Sequence, residues 1–121
     1  TKEVFKVTDS GLQYKVTELG KGTEKPTSTS TVTAKYKGTT IDGKVFDESK
    51  DAVAFPLNGV IRGWTEGMKL IGEGGRIVAW IPSKLAYGMD GNEEMNIPAN
   101  STLGFEIELI KLDKYAEWVR R

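Results

Sequence analysis

The chain has 121 residues, 38% hydrophobic and 28% charged, which is typical of one soluble globular domain. It contains no histidine and no cysteine, which excludes thiolate catalysis, cysteine-ligated zinc and any serine nucleophile that needs an imidazole base. The 17 basic and 17 acidic residues balance, and no basic block stands out, so nucleic acid is not an expected partner.

No stretch approaches the roughly 20 apolar residues that a membrane-spanning helix needs, so no membrane segment is expected. The N-terminus also lacks the apolar stretch of a signal peptide. Because the chain opens with Thr1 rather than Met, we expect a processed form or a domain excised from something longer.

Alternating apolar residues predict the first strands. Leu12, Tyr14 and Val16 alternate with polar residues, as in a half-buried strand over 12–17. A glycine- and proline-containing run, 20–26, then interrupts the pattern. A second alternating segment, Thr31–Thr40, is rich in β-branched residues. The Asp42-Gly43 pair is a hairpin turn signal, so 44–47 should return antiparallel beside it.

The apolar period changes to helical spacing between residues 60 and 71. Val60, Trp64, Gly67 and Ile71 recur on one face, which predicts a short helix over this range. Asn58 is suited to cap its start, and the glycine-rich run 72–75 should end it.

The rest of the chain returns to strand patterns. We expect a strand at 76–81 stopped by Pro82, a loop at 88–100 and a last strand at 103–112. Antiparallel strands around one apolar helix predict an α+β domain with a curved sheet wrapped around the helix. Tyr115, Trp118 and Val119 are spaced as in a helix, so the tail is either a docked helix or the start of a connection.

Common functional motifs fail when tested on this sequence. The acidic stretch 90–94 lacks the glycine at the sixth position of a calcium-binding EF-hand loop, so no metal site is expected there. Asn100-Ser101-Thr102 fits the N-glycosylation pattern, but a turn is the simpler interpretation.

Four ordered segments carry aromatic and aliphatic residues with few polar ones. They are Tyr36-Lys37-Gly38 with 43–49, Val60-Ile61-Arg62-Gly63-Trp64-Thr65-Glu66-Gly67, 81–88, and 97–103 with 105–109. In order and spacing they resemble the signature segments of FKBP-type peptidyl-prolyl cis-trans isomerases. The lead-in Ser10-Gly11-Leu12-Gln13-Tyr14-Lys15-Val16 further resembles the bacterial macrophage-infectivity-potentiator-like branch. The resemblance covers about residues 10–112, so we expect one isomerase domain over 1–121 with a C-terminal extension at 113–121.

The resemblance implies a half-barrel sheet and an apolar pocket with Trp64 as its floor. The implied substrate-binding residues are Tyr36, Phe46, Phe55, Val60, Ile61, Trp64, Tyr87, Ile97 and Phe105. The implied catalytic residues are Asp47, Tyr87, Ile61, Phe46 and Phe105. Tyr87 and the Ile61 backbone N–H would hold substrate carbonyls, and Asp47 would lie beside the isomerising bond. Any of the apolar residues taken alone would more often be simple core packing; it is their ordered combination that indicates a site.

The resemblance also sets expectations about partners. It implies proline-containing polypeptide substrates, no cofactor, and binding of the macrolides tacrolimus and rapamycin. The bacterial periplasm or envelope is favoured as the location, with the cytoplasm as an alternative. Two other functions stay open: a non-catalytic, chaperone-like module that holds proline-containing segments, and a β-barrel ligand carrier.

Three positions depart from the family pattern. Lys50 is the only cation in the stretch 48–53 after Asp47, where many members have an arginine partner, so the restraint of Asp47 is in question. The loop segment 93–96 is more polar than usual, and Gly104 replaces a usual β-branched residue.

Overall fold

The structure is a computed structural model that describes residues 5–20, 25–27 and 29–113. Within these residues the main element is one antiparallel sheet of seven strands, open and curved, with a single α-helix packed against it. The predicted α+β architecture is confirmed. The tail residues Tyr115, Trp118 and Val119 lie outside the described residues, so the interpretation of the tail stays a prediction.

The described part of the chain forms seven strands, one α-helix and two short 3-10 turns. The strands are β1 (Lys6–Val7), β2 (Gln13–Glu18), β3 (Thr31–Thr40), β4 (Val45–Glu48), β5 (Val53–Pro56), β6 (Arg76–Ile81) and β7 (Leu103–Asp113). The helix α1 is Arg62–Met68, and the 3-10 turns are Leu57–Gly59 and Ser83–Leu85. No helix among the described residues is long and apolar enough to cross a membrane.

Strand β3 is the centre of the fold. The sheet order is β1-β2-β6-β7-β3-β4, and β5 also pairs with β3. One edge of β3 pairs with β7 along its whole length, while the other edge pairs first with β5 and then with β4. The residues that β4, β5 and β7 carry are therefore brought together along one strand.

Sequence patterns located most strands closely. The predicted strands Thr31–Thr40 and Arg76–Ile81 agree with the structure residue for residue. Two strands were not predicted, β1 and β5. Both are short, and β5 lacks an apolar alternation; its register against β3, with Val32 opposite Phe55, is set by tertiary pairing.

The helix prediction was too long at both ends. Val60 and Ile61 have extended backbone angles, so α1 begins only at Arg62 and no side chain caps it. Asn58 lies in the preceding 3-10 turn and does not cap the helix. The helix ends at Met68, with Lys69 as its C-cap, before the glycine-rich run.

The residues that follow α1, and that were predicted to end the helix, have defined positions in the fold. Ile71 is fully buried in the core beyond the helix. Gly74, with φ +85°, belongs to the turn that leads into β6. The helical spacing of apolar residues extends beyond both ends of α1. Val60 and Ile61 are apolar because they line the cavity, and Ile71 is apolar because it packs in the core.

A single core fills the space between α1 and the sheet. Alternate residues of β3, β6 and β7 point inward, including Val32 and Ala34, Ile77 and Ala79, and Leu103, Phe105, Ile107 and Leu109. The helix contributes Trp64 and Met68, which are 4% and 0% exposed. Gly63 lies directly against the Ile81 side chain, so α1 comes close enough to β6 for no side chain to fit between them.

The two buried glycines of α1 provide a matched test of this close approach. A Cβ at Gly63 would overlap the Ile81 side chain, whereas a Cβ at Gly67 would lie 3.8 Å from the Ile77 and Leu12 side chains, an ordinary contact. We expect Gly63→Ala to lower the free energy of unfolding by about 1–3 kcal/mol through overpacking. Gly67→Ala should be neutral or stabilising by up to about 1 kcal/mol, because alanine favours the helix. Urea unfolding measures both, and equal effects would contradict the packing described.

Candidate active site

A cavity of about 440 Å³ opens between the helix and the β3, β4, β5 and β7 strands. This size is within the range of small-molecule and peptide side-chain pockets. Its lining consists of Tyr36, Phe46, Asp47, Phe55, Gly59, Val60, Ile61, Trp64, Tyr87, Met95 and Phe105. Most of these residues are apolar, so the cavity offers a water-poor surface with few polar groups.

Trp64 forms the base of the cavity. Its indole projects from α1 and packs against the rings of Tyr36, Phe55 and Phe105, with centroid distances of 5.2, 5.2 and 5.6 Å. All three pairs are T-shaped, an arrangement that places the positive edge of one ring against the negative face of another. Because these three rings come from three different strands, their contacts hold the indole at the base of the cavity.

Phe46 and Phe105 form one aromatic wall. Their rings meet edge to face with a centroid distance of 5.5 Å. Gly38 lies beneath this contact on β3, opposite both Asp47 and Phe105 in the sheet. A Cβ at Gly38 would lie 2.7 Å from the Phe46 ring and 2.9 Å from the Phe105 ring. Because glycine has no side chain, the Phe46 and Phe105 rings can pack against each other above this position.

Asp47 is the one acidic side chain in the cavity lining. Its carboxylate accepts a hydrogen bond of 2.7 Å from the Tyr36 hydroxyl. Among the described residues no cation lies within salt-bridge distance of it, and Lys50 is exposed. The restraint that the sequence left in question is supplied by a neutral hydroxyl and by the pairing of Asp47 with Gly38, instead of by a cation.

Ionisation of both tyrosine hydroxyls of the cavity is disfavoured. Burial, together with the hydrogen bond to Asp47 and its negative charge, raises the pKa of Tyr36 to about 12. Burial and the Asp47 charge also raise the pKa of Tyr87. The effect on Tyr87 indicates that the field of Asp47 reaches across the cavity.

The cavity also contains a backbone donor. Within the described part of the chain, the Ile61 N–H donates to no acceptor, while the Ile61 carbonyl accepts from Trp64 and Thr65 at the start of α1. Ile61 is extended and lines the cavity. This N–H is available to a carbonyl of a bound peptide.

The cavity brings together all but one of the site residues named from the sequence. The exception is Ile97, which is 4% exposed and packs in the core rather than lining the cavity. Met95, two residues earlier, lies in the lining instead. Sequence reasoning missed it, although it is the one apolar residue in the polar segment 93–96.

Comparison with known proteins identifies the family. Residues 22–110 match the model for FKBP-type peptidyl-prolyl cis-trans isomerases. FkpA of Escherichia coli is 51% identical over 108 residues, which are 87% of this chain and 39% of that protein. A probable FkpA of Neisseria meningitidis is 48% identical over 114 residues, 92% of this chain and 41% of that protein.

Solved structures agree with the sequence comparison. The crystal structure of Escherichia coli FkpA superposes with a TM-score of 0.87 at 48% identity, covering 93% of this chain and 53% of that one. A peptidyl-prolyl cis-trans isomerase of Pseudomonas syringae gives 0.86 at 34% identity, covering 93% and 84%. The chain belongs to the FKBP-type peptidyl-prolyl cis-trans isomerase family. It spans about two-fifths of the length of these two curated relatives.

The raised pKa of Tyr36 predicts a pH dependence of stability. An unfolded tyrosine loses its proton near pH 10, whereas folded Tyr36 keeps its proton to about pH 12. Between these values the unfolded state binds fewer protons, so the free energy of unfolding should fall as the pH rises from about 10 to about 12. Tyr36→Phe should show a shallower fall over this range, and Tyr14→Phe, outside the cavity, serves as the control. Parallel denaturation curves for wild type and Tyr36→Phe would contradict the assignment.

Proposed function

We propose that this chain catalyses cis-trans isomerisation of Xaa-Pro peptide bonds in polypeptides and needs no cofactor. The observation that carries the proposal is the aromatic cavity over Trp64, with Asp47, Tyr87 and the Ile61 N–H as its polar groups. Membership in the isomerase family supports the same reaction. The substrates we propose are proline-containing segments of unfolded or partly folded proteins.

The chemistry suits a site without a nucleophile. Rotation about a peptide bond is opposed by a barrier of roughly 18–20 kcal/mol that comes from amide resonance. No covalent bond is broken, so the absence of histidine and cysteine is no obstacle. The twisted transition state has lost the resonance that polarises the amide, and it therefore fits a water-poor, apolar cavity better than the planar ground state does.

The polar groups would orient the peptide. The Ile61 N–H and the Tyr87 hydroxyl are two donors on the cavity lining, suited to two carbonyls of a bent Xaa-Pro segment. Holding the segment in a turn converts part of the binding energy into orientation of the bond that rotates. Asp47, fixed by Tyr36, would lie beside that bond and favour the charge distribution of the twisted amide.

Turnover distinguishes this function from a non-catalytic binding module. A protease-coupled assay follows cis-to-trans conversion in a proline tetrapeptide, a reaction that takes tens to hundreds of seconds without a catalyst. Acceleration that saturates with peptide supports an isomerase. Peptide binding without acceleration would favour the module, and absence of any binding would exclude both.

The role of Asp47 can be tested by a change that keeps its hydrogen bond. In Asp47→Asn the amide oxygen can still accept from Tyr36, but the negative charge is lost. We expect kcat/KM to fall about 10-fold, which corresponds to about 1.4 kcal/mol of transition-state stabilisation, with little change in melting temperature. Asp51→Asn, an exposed change outside the cavity, is the control. Unchanged turnover with a large loss of melting temperature would make Asp47 a structural residue.

Macrolide binding provides a test of the cavity that is independent of turnover. Tacrolimus and rapamycin bury a pipecolyl ring, which mimics proline, so we expect both to bind over Trp64 and to inhibit turnover competitively. Phe46→Ala, which removes one half-buried wall, should weaken that binding. Calorimetry that detects no binding to the wild type at high micromolar ligand would leave the fold unaffected and count against the proposed pocket.

A further inference from the structure

Methionine supplies every sulfur atom of the chain, which has three methionines and no cysteine. The three side chains lie in different surroundings. Met68 is 0% exposed in the core, Met89 is 82% exposed, and Met95 is half-buried on the cavity lining. Oxidation of a methionine depends on access of the oxidant to its sulfur. An oxidant in solution should therefore reach Met89 and Met95 but not Met68.

A small hairpin holds Met95 at the cavity. Asn92 and Ile97 form an antiparallel bridge with reciprocal backbone hydrogen bonds of 2.8 Å. Inside this hairpin, the Asn92 side-chain oxygen accepts the Met95 N–H at 3.1 Å. Ile97, which is 4% exposed, anchors the hairpin in the core. The Met95 side chain therefore starts from a fixed point on the cavity lining.

The Met95 thioether lies at the Tyr87 hydroxyl, which donates to the sulfur across 3.7 Å. The proposed function requires this hydroxyl to hold a substrate carbonyl. Sulfur is a weak acceptor, so a peptide carbonyl can replace it readily. The reduced form of Met95 therefore leaves the Tyr87 hydroxyl available to the substrate.

We propose that Met95 is an oxidation site at which a peroxide switches the cavity off, because the sulfoxide formed there retains the Tyr87 hydroxyl. This inference rests on the proposed isomerase function and concerns its regulation. An oxygen bonded to the Met95 sulfur can come within about 2.5–3.0 Å of the hydroxyl oxygen, the ordinary O–H···O distance. The hydroxyl is then withdrawn from the substrate carbonyl, and a polar group stands in an apolar cavity.

The oxidation needs hydrogen peroxide or an organic hydroperoxide as its co-reactant. A lone pair of the Met95 sulfur attacks one peroxide oxygen, so an S–O bond forms while the O–O bond breaks. The proton of the attacked oxygen passes to the leaving oxygen, which departs as water or an alcohol. The sulfur loses two electrons and the peroxide gains them. A methionine sulfoxide reductase reverses the change with two electrons and two protons from a dithiol, and the oxygen leaves as water.

Hydrogen peroxide treatment of the folded chain tests the proposal. After removal of the peroxide, peptide mass mapping locates the sulfoxides, and cis-to-trans conversion of Ala-Leu-Pro-Phe measures turnover. We expect sulfoxide at Met89 and Met95 but not at Met68. As Met95 is oxidised, kcat/KM should fall about 10-fold through a higher KM, the effect of losing one hydrogen bond to the substrate. Methionine sulfoxide reductases for both epimers should restore the rate.

Two results of this treatment would overturn the proposal. One is an unchanged rate when Met95 is fully oxidised. The other is a Met95 that stays unmodified while Met89 is oxidised, because the sulfur would then be closed to the oxidant.

Single substitutions assign the loss to one sulfur. Met89→Leu removes an exposed methionine outside the cavity, so its rate should match the wild type before treatment and fall equally after it. Met95→Leu keeps apolar volume without a thioether, so peroxide should leave the untreated rate of this variant unchanged within about twofold. A loss of rate in Met95→Leu as large as that of the wild type would place the sensitive group elsewhere and overturn the proposal.

Tyr87→Phe tests whether the sulfoxide acts through the hydroxyl. This variant has no side-chain donor to lose, so oxidation of Met95 should change its residual rate by less than about twofold. A fall as large as that of the wild type would mean that the sulfoxide acts by another route, against the proposal.

Binding measurements separate failure of this proposal from failure of the proposed function. If the untreated wild type does not accelerate conversion of the peptide, the isomerase proposal fails, and calorimetry with Ala-Leu-Pro-Phe replaces the rate. Weaker binding after oxidation that is absent in Met95→Leu would support the switch. Unchanged binding would overturn it. Untreated protein that binds no peptide would overturn it as well, because the Tyr87 hydroxyl would then have no carbonyl to lose.

Discussion

The packing of three aromatic rings against the Trp64 indole is the constraint on which the rest of the site depends. Three rings reach the indole, and each comes from a different strand: Tyr36 from β3, Phe55 from β5 and Phe105 from β7. They converge only because β5 and β7 pair with opposite edges of β3. The contacts of Trp64 therefore require both the register of the sheet and the close approach of α1 to the sheet. Gly63 permits that approach, because it has no side chain to overlap Ile81.

In this arrangement, one side of the cluster formed by Trp64 and its three neighbouring rings faces the open cavity. Trp64 is nearly buried at 4% exposure, yet it still contributes to the floor of an open cavity. Two of the polar side chains on that cavity are hydrogen-bonded to neighbours: Asp47 accepts from the Tyr36 hydroxyl, and the Tyr87 hydroxyl donates to the Met95 sulfur. An apolar surface with few, restrained polar groups is suited to a reaction whose transition state is less polar than its ground state.

Much of the fold could be predicted from the sequence because its strongest signals are local. Alternation of apolar and polar residues located β3, and a mostly apolar run stopped by Pro82 located β6. The ends of α1 could not be located from periodicity. Val60 and Ile61 line the cavity and Ile71 packs in the core, so these apolar residues continue the helical spacing without belonging to the helix. Periodicity records burial, and burial alone does not say which element a residue belongs to.

The positions that depart from the family pattern depended on contacts that no sequence pattern encodes. Gly104 lies beneath the Trp80 ring, where a Cβ would be 2.7 Å from the nearest ring carbon. This explains why the usual β-branched residue is absent. The exchange of Ile97 for Met95 at the cavity also depends on such a contact, the backbone bridge between Asn92 and Ile97. With this bridge in place, Ile97 is buried in the core and Met95 lies beside the Tyr87 hydroxyl.

We propose that apolar surroundings and fixed hydrogen bonds, rather than proton transfer, accelerate rotation about the Xaa-Pro bond in this chain. The most direct test is the pH dependence of kcat/KM between pH 6 and 9, measured by NMR exchange between the cis and trans forms of a proline peptide. The chain has no histidine or cysteine to titrate there, and the raised pKa values of Tyr36 and Tyr87 keep both hydroxyls protonated. We predict a rate constant that is unchanged within about twofold across this range. A bell-shaped or sigmoidal profile centred near neutrality would contradict the account.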